Sequence, residues 1–208
     1  IEENPQRASI MRFKTDGSES RIYATGLRYV IGMDFQPNQP ILWVANMERE
    51  GLSDNLPPET LYALYIEANG GWPYCHAGRI VDPDFGDESS CNESLLNPRA
   101  EIESQSAPFG LTFYDGDLFP PEYQNDIFIA LHGTGSGDSA RGYKVIRVPR
   151  KGEPQLDVED FATGWVSPDG IPWGAPTDII QGPDGSLYLS DDLQGVIYRI
   201  FYAGPEGE

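Results

Sequence analysis

Basic residues are scarce in this chain: 14 lysines and arginines stand against 33 aspartates and glutamates, a formal net charge of -19 over 208 residues. Binding to nucleic acid needs a dense set of cations facing the phosphates, so this balance argues against such a role. The acidic excess is spread along the chain and reads as a solubilising surface. Histidine and cysteine are rarer still, two of each. His76 adjoins Cys75 and His132 is remote, so none of them makes a zinc-ligand spacing. A run of about 18 apolar residues is also missing, which leaves no candidate for a membrane-spanning helix. No basic-then-apolar leader is present at the start.

Helical periodicity is the next absence. Every candidate amphipathic stretch is interrupted by Gly, Pro or Asn, and the chain holds 23 glycines and 18 prolines. Short strands joined by many turns are therefore expected. The hydrophobic fraction of 39%, with 12% aromatic residues, is enough for one globular core, so a single domain is expected over 1–208. Cys75 and Cys91 sit in polar sequence rich in Pro, Gly, Asp and Ser, which reads as a surface loop. Two free thiols would be a liability there, and a bridge closing such a loop stabilises the fold by roughly 3 kcal/mol. A disulfide is therefore expected, and with it an exported, periplasmic or extracellular setting. Asn92-Glu93-Ser94 is a glycosylation sequon.

What organises the chain is an internal repeat. Ile31 to Asn46, Phe109 to Gly133 and Thr177 to Asp192 each read as an apolar strand, a turn and a second strand. In the third, Asp184-Gly185 is a hairpin turn signal. Candidate outer strands surround them: Ser9 to Phe13, Arg21 to Thr25, Thr60 to Ile66, Glu101 to Gln105, Tyr143 to Val148, Phe161 to Trp165 and Val196 to Tyr202. In order, these give the last two strands of one blade, two complete four-stranded blades and three strands of another. The expected fold is all-β, about three blades of a β-propeller. An open arc leaves strand edges and blade faces uncovered, so the rest of the ring is expected from residues upstream of Ile1 or from an associated part.

Several segments, in order, carry a family likeness: Gly26-Leu27-Arg28, Asn55 to Glu59 (NLPPE), Gly70 to Cys75 (GGWPYC), Ser106 to Asp117 (SAPFGLTFYDGD), Phe119 to Gly133 (FPPEYQNDIFIALHG), Gly142 to Pro149 (GYKVIRVP) and Pro183 to Asp192 (PDGSLYLSDD). Together they resemble the C-terminal half of the quinoprotein glucose and sorbosone dehydrogenases. The resemblance implies a six-bladed propeller that holds pyrroloquinoline quinone (PQQ) and calcium on its axis, oxidises a sugar at the anomeric or aldehyde carbon, and passes electrons to an acceptor such as a cytochrome. It also implies a general-base His in an early blade, upstream of this chain, so the chemistry cannot be completed by these residues alone.

Cofactor residues carry over one at a time. Arg28 matches the Arg of the family's GLR motif, although Tyr29 follows it where the family has Asn. Lys144 matches the GYK Lys that meets a cofactor carboxylate. For both, an ion pair or a solvent-facing place at a strand end is the competing reading. The calcium-side loop, DNGRD-like in the family, is Ala45-Asn46-Met47-Glu48-Arg49 here, with Met47 in place of Gly. Glu59 keeps an acid and reads as a loop or cap carboxylate. Ala175 stands where the family's WGRP motif has Arg, and the stretch from Gly133 to Asp138 replaces an HG-Ser-Trp-Asn-Arg segment. Trp72 and Trp173 are read as blade-packing aromatics, and Tyr29 and Tyr62 as fillers of a vacated pocket. Scaffold motifs survive while axial ones fail, which leaves enzymatic activity open. The competing reading is a non-catalytic propeller serving as a structural or binding subunit.

Overall fold

The computed structural model describes residues 4–204 apart from 54 and 153; residues 1–3 and 205–208, the ends of the expected domain, lie outside the described residues. Strand β1 (Ser9–Arg12) pairs antiparallel with β2 (Arg21–Thr25). Then follow β3 (Tyr29–Phe35), β4 (Leu42–Met47) and β5 (Glu59–Leu64). A short β6 (Ala68–Asn69) returns parallel to β2, and β7 (Cys75–His76) pairs with β8 (Ile80–Val81). Strand β9 (Ala100–Ile102) completes the four-stranded sheet β3-β4-β5-β9. Next come β10 (Pro108–Phe113), β11 (Ile127–Leu131), β12 (Lys144–Val148) and β13 (Glu159–Ala162), also four-stranded. The last sheet is β14 (Pro176–Gln181), β15 (Leu187–Asp191) and β16 (Val196–Ile200).

The expected blade pattern is the one observed, and the three repeat hairpins are β3-β4, β10-β11 and β14-β15. Two outer strands are shifted. The strand expected at Glu101 to Gln105 lies at Ala100–Ile102, because the chain then turns through Gln105 and Ala107, both at positive φ. The one expected at Phe161 to Trp165 lies at Glu159–Ala162 and stops before Gly164, at φ +121. Strands β6, β7 and β8 were not expected.

Each repeat has the same device at its start. The ladder slips between Val30 and Met33, between Pro108 and Gly110, and between Pro176 and Asp178, so each blade's first strand enters through a bulge. These first strands abut one another. A Cβ on Gly32 would lie 2.3 Å from the Phe109 carbonyl oxygen, and one on Gly110 would lie 2.5 Å from the Asp178 Cα. Only glycine permits main chains to approach so closely.

The core is three layers between blades, and strand alternation explains it. On β4, Trp43 and Ala45 face one neighbour and Leu42 and Val44 the other. On β11, Ile127, Ile129 and Leu131 join the first of these layers, while Phe128 and Ala130 pack on Ile179, Leu187 and Leu189 of the last blade. A strand covered on both faces must be apolar at every position, which is why β11 reads IFIAL. Each Ile, Leu or Phe of this kind, once buried, contributes about 1.5–3 kcal/mol.

Candidate functional site

Antiparallel pairing brings the start of a blade's first strand, the end of its second and the start of its third to one end of the sheet. Here Tyr29 lies opposite Met47, Asn46 opposite Thr60, Leu131 opposite both Pro108 and Lys144, and Asp191 opposite both Pro176 and Val196. Arg28, Met47 to Arg49, Glu59, His132, Lys144, Ala175 and Asp192 therefore share one face of the arc.

Arg28 is held at that face. One guanidinium nitrogen donates to the Glu48 carbonyl at 2.7 Å, and the group lies 5.7 Å from the centre of the Trp72 ring. It lines a cavity of 300 Å³ with Tyr29, Met47 and Glu50. Tyr29 is 52% exposed. It borders this opening and does not fill it, because the alternation of β3 turns it away from the core. Tyr62, by contrast, is buried against Val44 and Ala24 in the layer between the first two blades.

Beneath Arg28 lies a buried polar network that the sequence did not disclose. His76 is fully buried, with Nδ1 2.9 Å from Glu48 Oε2 and Nε2 2.9 Å from Asp82 Oδ2. Asn46 donates to Glu48 Oε1 at 2.9 Å, and the Glu48 N–H donates to Glu59 Oε2 at 2.5 Å. Arg49 caps the network from outside, donating to both Asp82 oxygens at 2.9 and 2.7 Å and to Asp84. Glu59 is thus a buried strand-initial residue and neither a loop nor a cap carboxylate; β5 starts at it and the chain leaving β4 at Glu48 bonds to it.

The charges follow from this packing. Burial pushes Glu59 up to about 7, with the Glu48 charge adding to it and the Glu48 N–H and the Arg28 charge opposing. Burial disfavours a charged His76, but its bonds to Glu48 and Asp82 outweigh that and raise it above the ordinary histidine value. Burial likewise opposes ionisation of Asp82, yet His76, Arg49 and two backbone N–H groups bring it down to about 2. The set is a buried imidazole clamped between the side chains of Glu48 and Asp82. With His76 fully covered, it fixes the loop under Arg28 and offers no group to a substrate.

Lys144 is placed differently. Its ammonium lies 2.8 Å from Asp160 and 3.6 Å from Glu103. It stands on the third strand of the next blade, about 10 Å out from that blade's first strand, so the structure does not bring it into the Arg28 cavity. Ala175 is buried, and its N–H donates to Asp191 at 3.0 Å. Trp173 is 46% exposed, its indole N–H donating to the Gly164 carbonyl, so it is not a blade-packing residue. Trp72 is half-buried, between Arg28 and His76. A pair not anticipated is His132 with Asp192, 3.0 Å apart, the imidazole stacked on Phe109. The Cys75–Cys91 disulfide is formed, with Cα atoms 5.3 Å apart. Among the described residues, no group of three or more His, Cys, Asp or Glu side chains is arranged to hold a metal ion, and no helix is long and apolar enough to cross a membrane.

A family model described as glucose/sorbosone dehydrogenase matches residues 4–136, and one described as TrAA12-like matches residues 80–202. An uncharacterised protein of Borreliella burgdorferi is 30% identical over 95% of this chain and 53% of its own length. A pyrroloquinoline quinone-dependent pyranose dehydrogenase of Coprinopsis cinerea is 24% identical over 76% of this chain and 26% of its own. The chain thus spans about half the length of the first and a quarter of the second. Among solved structures, the holo form of the PQQ domain of pyranose dehydrogenase from Coprinopsis cinerea superposes with a TM-score of 0.72 at 19% identity, covering 97% of this chain and 63% of that one. The shared fold is that of a β-propeller.

Proposed function

The chain belongs to the glucose/sorbosone dehydrogenase family, and from that premise we propose that it is the later part of a sugar-dehydrogenase-like propeller whose cofactor face is degenerate. In this reading the protein is a structural or binding component of an exported assembly and not itself a PQQ-dependent oxidant of sugars. The observation that carries the reading is the charge inventory of the shared face. PQQ is a tricarboxylate, and a charge-assisted cradle for it needs several uncommitted cations. Of the positions carried over from the family, Arg28 stays cationic but shares its cavity with Glu50, Lys144 is committed to Asp160 and Glu103, and Ala175 has no charge. Each carboxylate left facing the ligand at about 4 Å opposes it by roughly 4 kcal/mol at an effective dielectric of 20. The residues present do not fit the group.

Further blades are the proposed partner. One flank of the arc leaves Phe13, Met33 and Phe35 exposed around a groove of 620 Å³, and the other leaves Ile180, Ile197 and Phe201 exposed. Apolar faces of this kind are what a neighbouring blade covers. The disulfide supports an oxidising compartment.

Titration of the protein with PQQ and calcium tests the central reading. No change in the quinone absorbance at micromolar cofactor is expected. Micromolar or tighter binding that Lys144→Ala weakens would overturn it.

A further inference from the structure

Two adjoining cavities lie along the segment closed by the Cys75–Cys91 bridge. One, of 390 Å³, is walled by Trp72, Pro73, Tyr74 and Phe85 with Pro5. The other, of 320 Å³, is lined by Asn69, Ser90, Asn92 and Ser94. Thr25, Gly26, Trp72 and Tyr74 belong to both, so they form one groove, aromatic at one end and polar at the other. Each half is of the size that small ligands occupy, about 300–1,000 Å³.

The groove is held in shape before any ligand arrives. Trp72 is fixed between Arg28 and His76. Phe85 lies 5.8 Å under the Arg49 guanidinium, which Asp82 and Asp84 anchor in turn. At the polar end, Asn92 accepts from the Ser94 N–H and hydroxyl and donates to the Ser89 carbonyl, while Asn69 accepts from the Gly71 N–H. Yet Tyr74 and Phe85 remain 39% and 46% exposed. Rigid exposed rings beside oriented amides and hydroxyls lower the ordering cost of binding.

Pyranose rings match this division. Their C–H faces are apolar and stack on aromatic side chains, and their edges carry hydroxyls that pair with amides and hydroxyls. Charge narrows the class. Asp87, Glu88 and Glu93 lie on the same segment, and the cation of the groove, Arg7, already has a partner. An anionic ligand would be repelled by these carboxylates. We propose that this groove is a binding site for a neutral oligosaccharide, separate from the cofactor face and independent of how that face is read.

The test uses the full protein made in a host that leaves the Asn92 sequon unmodified. It is titrated calorimetrically and by tryptophan fluorescence with cellohexaose, xylohexaose, maltohexaose and, as the anionic control, a galacturonic acid hexamer. At least one neutral hexasaccharide is expected to bind at micromolar to millimolar concentration. Tyr74→Ala, which removes an exposed ring, and separately Phe85→Ala should each weaken binding about tenfold, roughly 1.4 kcal/mol, with the melting temperature of Tyr74→Ala unchanged. The proposal fails if no neutral oligomer binds at millimolar concentration, if binding survives both substitutions, or if the anionic hexamer binds as well as the neutral ones.

Discussion

Glu59→Gln is expected to reverse the sign of its effect between acid and alkaline pH. Burial raises the Glu59 carboxyl from 4.5 to about 7, so between those values the folded state keeps a proton that the unfolded chain has released. Stability therefore falls as pH rises through that window, and above it the cost of ionising the buried group amounts to about 3 kcal/mol. Glutamine never ionises and keeps a carbonyl oxygen to accept from the Glu48 N–H, a bond of 2.5 Å in the structure. Its second amide proton finds no place that a carboxylic acid needed, which costs about 1 kcal/mol at low pH. The variant should be slightly less stable than the parent near pH 5 and more stable near pH 8. Histidine 76 acts in the same direction: its value is raised by Glu48 and Asp82, so its stabilisation is present below the unfolded value of 6.5 and is lost as pH rises through the folded one. Because His76 is common to both proteins, the difference between their urea unfolding curves at several pH values isolates Glu59. Parallel stability profiles, or a gap that does not change sign towards pH 8, would refute the reasoning.

Other perturbations have equally definite outcomes. His76→Ala leaves Glu48 and Asp82 without their shared buried partner and should cost about 3–5 kcal/mol in urea unfolding at neutral pH; a loss below 1 kcal/mol would mean the network is not held by the imidazole. Replacing Cys75 and Cys91 together by Ser should cost roughly 3 kcal/mol, read as a drop in melting temperature that adding reductant to the parent reproduces. Ala175→Arg forces a long cation into a buried position and should destabilise by about 1–3 kcal/mol without creating PQQ binding, checked by melting and by the quinone spectrum.

The blades were legible because their information is local. Alternating apolar residues with a turn such as Asp184-Gly185, which has the positive φ of +76 at Gly185, specify a hairpin wherever it stands. Strand β6 was not legible, since two residues, Ala68 and Asn69, pair with Ala24 and Thr25 far upstream. The site divides in the same way. Arg28 and Lys144 could be picked out by the motifs around them, but not their occupation: Lys144 is paired with Asp160 of β13 and with Glu103, just past the end of β9. Glu59 ends a polar stretch and reads as a loop or cap carboxylate, while its burial goes with the bond it accepts from the Glu48 N–H where the chain leaves β4. His76 makes no metal-ligand spacing; its adjacency to a bridged cysteine is the signal in the sequence that it is locked inside.

The glycine joints of the inner rim bear on how a ring built from such blades can curve. Gly32 and Gly110 let main chain touch main chain, so at this rim the approach of successive blades is set by backbone dimensions. One methyl group at either place would prise its joint open by about 1 Å, since unstrained carbon contacts begin near 3.5 Å. Angular errors of that kind add from joint to joint, and a ring has no slack in which to absorb them. The corresponding place in the last blade is Asp178, with an exposed side chain. Its carboxylate lies against Gly110, 2.6 Å from where a Cβ there would stand, so the joint between the last two blades is closed by a glycine on one side and bordered by a charge on the other.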